Sequence, residues 1–263
     1  EACLRGMNTS ATWSPFFVAF AVGQIFIDKT NSWIAIFCGT IIGIIFNLIT
    51  LPIFSHRLDL KQIKSSLSCL KPVSKILFLV MFTVLIFSIV FNLNALSAVV
   101  LVMPSLVIIY FIFNKKMIFD VYLDTKSWLI KTSDDIVVIS FAMLLGYLIS
   151  RSNSINDFNL FFYSLIFPSW SLLILTPLII TIFSFLGIHP IISSTIALPF
   201  LTSFPNEIHP ALIMQAHLVG WAGGTMSSIT SLSVLTCSNL FRIDSKQLAF
   251  GPNLLIAIFF AIS

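Results

Sequence analysis

Three stretches of this chain, residues 33–54, 76–93 and 95–113, run for about twenty positions without a single charged residue. A helix needs about 20 apolar residues to cross the roughly 30 Å hydrocarbon core of a bilayer. Further apolar runs lie at 13–27, 135–150 and 159–186, and a last one begins near 248. Only 9% of the residues are charged and 58% are hydrophobic. A soluble domain carries about 25% charge, so this chain lacks the polar surface to face water on all sides. The expected fold is all-α: a polytopic membrane protein of about 8–9 transmembrane helices, with discontinuous or re-entrant helices in its C-terminal part.

Lys and Arg set orientation in such a protein. The loop 55–75 carries Arg57, Lys61, Lys64, Lys71 and Lys75, and the loop 114–134 carries Lys115, Lys116, Lys126 and Lys131. Two spans separate these loops, which places both on one side, the cytoplasmic one. Arg5 falls on that side too, as do Arg242 and Lys246 if 188–241 crosses twice; Lys29 and Arg151 are then outside. The N-terminus is thus expected in the cytoplasm, with a bacterial inner membrane as the setting. The formal charge of +4 is explained by this asymmetry, and no nucleic-acid partner is needed. Loop 114–134, with Met117, Phe119, Tyr122 and Trp128 among Lys and Asp, reads as an interfacial segment.

Near residue 134 the chain changes character, dividing it into 1–134, with plain spans and basic loops, and 135–263, with broken helices. In the second part Gly187 suits a helix end and Pro190 the first turn of the next helix. Pro199 follows nine residues later, and Pro205 to Pro210 make a polar turn. A helical piece 211–222 is expected to end at Gly223-Gly224, and another to run from about 229 to 241. Two topologies fit: either 188–204 crosses and 210–241 returns as a broken helix, or 188–222 is a re-entrant hairpin.

Seven hydroxyl residues lie between Thr225 and Thr236. In a bilayer every backbone polar group needs a partner, so breaks and hydroxyl clusters occur where protein or a wet cavity surrounds them. Transporters build ion and substrate sites from such broken helices. Gly223, Gly224, Thr225, Ser227, Ser228, Thr230, Ser231 and Asn239 are the candidate substrate or ion ligands. The competing explanation is a seam of small residues for close helix packing. His189 and His209 share the frame Ile-His-Pro, and each is a candidate either for helix capping or for proton coupling. Glu207, the only acid between 158 and 243, and His217 complete the coupling or gating candidates. Cys3, Cys38, Cys69 and Cys237 have no paired spacing and suggest neither a metal site nor a disulfide framework. Motifs for zinc proteases, nucleotide-binding loops and serine hydrolases are missing.

The run Leu186-Gly187-Ile188-His189-Pro190-Ile191, the Pro-rich apolar stretch after it, and the Gly/Ser/Thr break before Asn239-Leu240-Phe241 resemble the late portion of ion-transporter-superfamily carriers. That group includes the large membrane subunit of TRAP dicarboxylate transporters and the divalent-anion/Na⁺ symporters. The resemblance covers about 135–263. It implies a secondary transporter moving a small anionic solute by alternating access, with Na⁺ or H⁺ as coupling ion and no other cofactor. It also implies that Thr225, Ser227, Ser228, Thr230 and Ser231 lie on a discontinuous helix. The chain lacks the Thr-Pro-Pro of TRAP subunits and the Ser-Asn-Thr of the anion symporters, so the subfamily and substrate stay open. So do two alternatives: an integral-membrane enzyme with His189, Glu207 and His209 acting on a lipid-linked substrate, and a non-catalytic membrane subunit. The expected partners are the bilayer, a small solute or ion, and a second copy or an additional transporter subunit. The chain opens on Glu1 and is still apolar at Ser263, which reads as part of a longer transporter.

Overall fold

The computed structural model describes residues 2–27, 32–54, 60–93, 95–113, 118–152, 157, 160, 168, 170–203 and 208–262. Among these residues the structure is all-α, with no strand. The helices are α1 (Ala2–Thr9), α2 (Val18–Phe26), α3 (Ser32–Phe54), α4 (Leu60–Phe91), α5 (Ala95–Phe113) and α6 (Ile118–Ser150). They are followed by α7 (Ser171–Phe185), α8 (Pro190–Ser203), α9 (Pro210–Ser227), α10 (Leu232–Phe241), α11 (Ser245–Phe250) and α12 (Pro252–Ile262). Among the described residues three helices are long and apolar enough to cross a membrane, through Trp33–Thr50, Lys71–Phe91 and Ala95–Phe113. Those of α7, α8 and α12, and the segment Ile136–Ser150, are apolar but shorter, at 10–17 residues.

Two of the expected loops are helical. The basic segment after residue 60 is the first half of the 32-residue α4, and the amphipathic segment after 118 is the first half of the 33-residue α6. Lys, Glu and Leu are good helix formers even where they face water, so charge alone marks the membrane boundary and not the helix end. Each helix is about 50 Å long at 1.5 Å per residue.

The chain forms two compact units, Glu1–Phe54 with Ile139–Ser263, and Ser55–Val138. In the second unit α4 and α5 form a hairpin. Asn92 adopts φ 51° at the turn, a left-handed conformation that Asn tolerates. The Ser88 hydroxyl closes the turn by donating to the Leu93 carbonyl at 2.7 Å. Val84, Ala98 and Val102 pack between the helices, while Phe78, Phe82, Ile89 and Ile108 are exposed, as lipid-facing side chains are.

In the first unit α9 is the central element. From Ala211 to Ser227 only Leu212 is exposed, at 51%, so the helix is surrounded on every side. Such a helix must be apolar or have its polar groups matched. Val219, Ala222 and Met226 join Ala11, Phe46, Ile256, Ala257 and Phe260 in the main core, with the Phe46 and Phe260 rings 4.1 Å apart. A second cluster of Leu4, Val234, Cys237, Leu248 and Ala249 ties α1 to α10 and α11. Arg5, counted from the sequence among the cytoplasmic charges, is only 4% exposed and donates to the Thr50 carbonyl at 3.4 Å.

Candidate functional site

Helix α9 does not end at Gly223-Gly224. It continues through both glycines to Ser227, and the break spans Ser228–Ser231. The glycines serve a different purpose, which is close approach. A Cβ on Gly220 would stand 2.7 Å from Pro177 Cα, one on Gly223 2.6 Å from Thr181 Oγ1, and one on Gly224 2.6 Å from Ser184 Oγ. All three therefore face α7, at the spacing of one helix face. Small residues let helix backbones approach where lipid offers no hydrophobic drive for association. Gly220, Gly223 and Gly224 thus form a packing seam.

The break itself is made by hydroxyls. Ser227 Oγ is fully buried and turns back onto the Gly223 and Gly224 carbonyls at 3.1 and 3.2 Å. Thr225 Oγ1 likewise donates to the Trp221 and Ala222 carbonyls at 3.0 and 3.1 Å. Ser228 leaves the helix with ψ 124°, and Ser231 enters α10 as its N-cap with ψ 139°. The last carbonyls of α9 and the first N–H groups of α10 have no helical partners, and side chains supply them. Ser231 Oγ donates to the Thr225 carbonyl at 2.6 Å and accepts from Val234 N at 3.2 Å. Ser233 Oγ is 3.3 Å from Ser231 Oγ and donates to Asn8 Oδ1 of α1 at 2.9 Å. Ser228 and Thr230 pair their hydroxyls at 3.1 Å.

The result is a knot of oxygens (Thr225 C=O, Ser231, Ser233 and Asn8 Oδ1) between the C-terminus of one half-helix and the N-terminus of the next. The two ends carry partial charges of opposite sign. Carbonyl and hydroxyl oxygens at the first end are the ligand type of a hard cation, and the positive end of the second favours negative charge. Asn8 and Ser231 are buried, whereas Thr225 and Ser233 are partly exposed, so the knot lies just beneath the surface of the unit.

The remaining candidates lie elsewhere. Asn239 is exposed on α10, eight residues beyond Ser231, and does not join the oxygens. His189 and His209 act alike: each Nδ1 accepts from the backbone N–H two residues on, Ile191 and Ala211, at 3.2 Å. Both Ile-His-Pro frames are therefore helix caps, with the proline in the first turn where its missing N–H costs nothing. His209 is exposed, whereas His189 sets its ring 6.2 Å from that of Trp221. Glu207 lies outside the described residues. His217 is completely buried, with Nε2 at 2.9 Å from the Ala19 carbonyl of α2 and its ring edge-on to Trp221 at 5.8 Å. A carbonyl only accepts, so Nε2 carries the proton and Nδ1 of the neutral ring is an acceptor.

That Nδ1 has no protein partner, and neither do the buried Gln215 Oε1, Asn253 Oδ1, Thr181 Oγ1 and Ser194 Oγ. Sequence reading missed the contribution of the N-terminal segment. Asn8, Thr9 and Thr12 recur at helical spacing and are buried. Thr9 Oγ1 accepts from Asn47 Nδ2 at 2.8 Å, and Thr12 Oγ1 donates to the Gly39 carbonyl at 3.0 Å. Gln215 Nε2 donates to the Ala35 carbonyl at 2.6 Å.

No protein-family model matches the chain, and no curated protein or solved structure shows significant similarity to it.

Proposed function

We propose that the chain is a secondary active transporter that moves a small, anionic solute across the membrane by alternating access, coupled to Na⁺ or H⁺. The observation that carries this reading is the hydroxyl-built break between α9 and α10. It separates the buried α9 from α10 and gathers the Thr225 carbonyl and the Ser231 and Ser233 hydroxyls where the C-terminus of one half-helix meets the N-terminus of the next. Thr225 C=O, Ser231 and Ser233 hold the cation in this reading, with Asn8 as the contribution of α1, and the first turn of α10 meets the anion. His217 is the group through which a proton would couple. In this reading the apolar runs make 8–9 crossings of a bacterial inner membrane, and the Lys/Arg asymmetry of the loops puts the N-terminus in the cytoplasm.

Gradient-driven uptake into proteoliposomes, against a panel of carboxylates, amino acids and inorganic anions, tests the activity. Single cysteines at Thr225, Ser228 and Ser231 test the site, because alternating access requires them to react with impermeant reagents from one side or the other as ions and solute change. Cysteines that never react from either side, in a preparation that shows no uptake of any panel member, overturn the proposal.

A further inference from the structure

Three sulfur atoms from distant parts of the sequence meet between α1 and α10. Cys3 and Met7 are one turn apart on α1, so their side chains lie one above the other on a single face. From α10, Cys237 brings its Sγ to 4.0 Å from Met7 Sδ, and the Cys3 thiol is within hydrogen-bonding reach of Cys237. Cys237 is 2% exposed, fixed among Leu4, Val234, Leu248 and Ala249, while Cys3 is exposed, and both are free thiols. One donor is therefore held rigidly by the core and another is open to an incoming ion.

The donor set is chemically selective. Among the described residues no three His, Cys, Asp or Glu side chains gather, and the donors that meet here are two thiols and one thioether. Thiolate and thioether ligands favour soft ions such as Cu(I), whereas Zn²⁺ seeks four ligands and Mg²⁺ or Ca²⁺ seek oxygen. Three sulfurs each about 2.3 Å from a metal in a trigonal plane stand about 4.0 Å apart. That is the separation of Cys237 Sγ and Met7 Sδ.

We propose that Cys3, Met7 and Cys237 form a binding site for a soft monovalent cation, Cu(I) or its analogue Ag(I). On binding, the two thiols lose their protons to solvent as two metal–thiolate bonds form, and a Met7 lone pair makes the third bond. No redox change is involved. The bound ion would tie α1 to α10, the same two helices that Asn8 and Ser233 join. The site does not depend on the transport reading, and its test measures metal alone.

The full-length chain in detergent micelles, reduced and desalted without oxygen, is titrated with Cu(I) against the chromophoric competitor bicinchoninate. One retained equivalent, with an X-ray absorption spectrum showing only sulfur neighbours at about 2.3 Å, is the expected result. Cys3→Ser and Cys237→Ser each weaken binding by about 100-fold or more, and Met7→Leu, which keeps the apolar volume, by about tenfold. Cys38→Ser and Cys69→Ser leave it unchanged. Equal retention by Cys3→Ser or Met7→Leu overturns the proposal, as does a nitrogen or oxygen shell around the metal. A Cys3–Cys237 disulfide that on reduction retains no copper overturns it as well.

Discussion

Substituting Gly224 by Ala tests the α7–α9 seam at its most informative point. The new methyl would stand 2.6 Å from Ser184 Oγ, 3.1 Å from Ser184 Cβ and 3.3 Å from Pro190 Cγ. Ordinary contact begins near 3.5 Å, so the Ser184 hydroxyl is too close by about 1 Å. It cannot swing away freely, because it donates to the Ile180 carbonyl at 2.8 Å and helical rotamers are few. Overpacking of this kind costs about 1–3 kcal/mol, and the better helix propensity of Ala returns about 1 kcal/mol. A net loss of up to about 2 kcal/mol follows. Ser184→Ala alone removes a bond to its own helix and changes stability by about 1 kcal/mol or less. In the double variant the oxygen that clashed is gone, so the pair should be more stable than Gly224→Ala alone, with a coupling of about 1–2 kcal/mol. Reversible unfolding by SDS in mixed micelles, followed by circular dichroism, measures all four corners of the cycle. Gly220→Ala supplies the contrast, because its methyl would meet Pro177 Cα at 2.7 Å, a backbone atom that no side-chain truncation removes. Additive effects of Gly224→Ala and Ser184→Ala, within about 0.5 kcal/mol, would refute the assigned register of the two helices.

Two further substitutions probe the interior. Ser231→Ala deprives α10 of its cap and the Thr225 carbonyl of its 2.6 Å donor; it should destabilise by about 1–2 kcal/mol and abolish coupled uptake, whereas Ser231→Thr retains both, as unfolding and proteoliposome assays will show. His217→Phe keeps an aromatic ring but removes the donor to the Ala19 carbonyl; a loss of about 1–3 kcal/mol in SDS unfolding is expected, and unchanged stability would contradict the α2–α9 contact.

Long apolar runs were readable from the sequence because the bilayer fixes their length and forbids charge within them. The runs 33–54, 76–93 and 95–113 overlap α3, the second half of α4, and α5. Helix ends were less readable. Gly223-Gly224 is a weak point for an isolated helix, but against α7 the absent side chains create contact, and the ladder persists. The break falls instead at Ser228–Ser231, where four hydroxyls (Ser228, Thr230, Ser231 and Ser233) provide hydrogen bonds in place of the lost ones. Ile-His-Pro contained its capping geometry locally, in the imidazole acceptor and the following proline, and so was legible as one of two readings. What could not be read was any meeting of residues remote in sequence. Asn8 with Ser233, Gln215 with Ala35, and Cys237 with Met7 depend on how helices pack, and local spacing contains no record of that.

The placement of α1 also bears on how the molecule is made. Its Asn8 is matched by Ser233, 225 residues later, and Leu4 is covered by side chains from α10 and α11. At about 5–20 residues per second, a ribosome needs roughly 10–45 s to travel between those points. During that interval α1 holds an asparagine and a leucine that have yet to receive those later neighbours. The α1–α10 contacts can therefore form only late, and a chain stalled before Leu232 would leave that one face of α1 uncovered, a signal of incomplete synthesis for a membrane chaperone or protease.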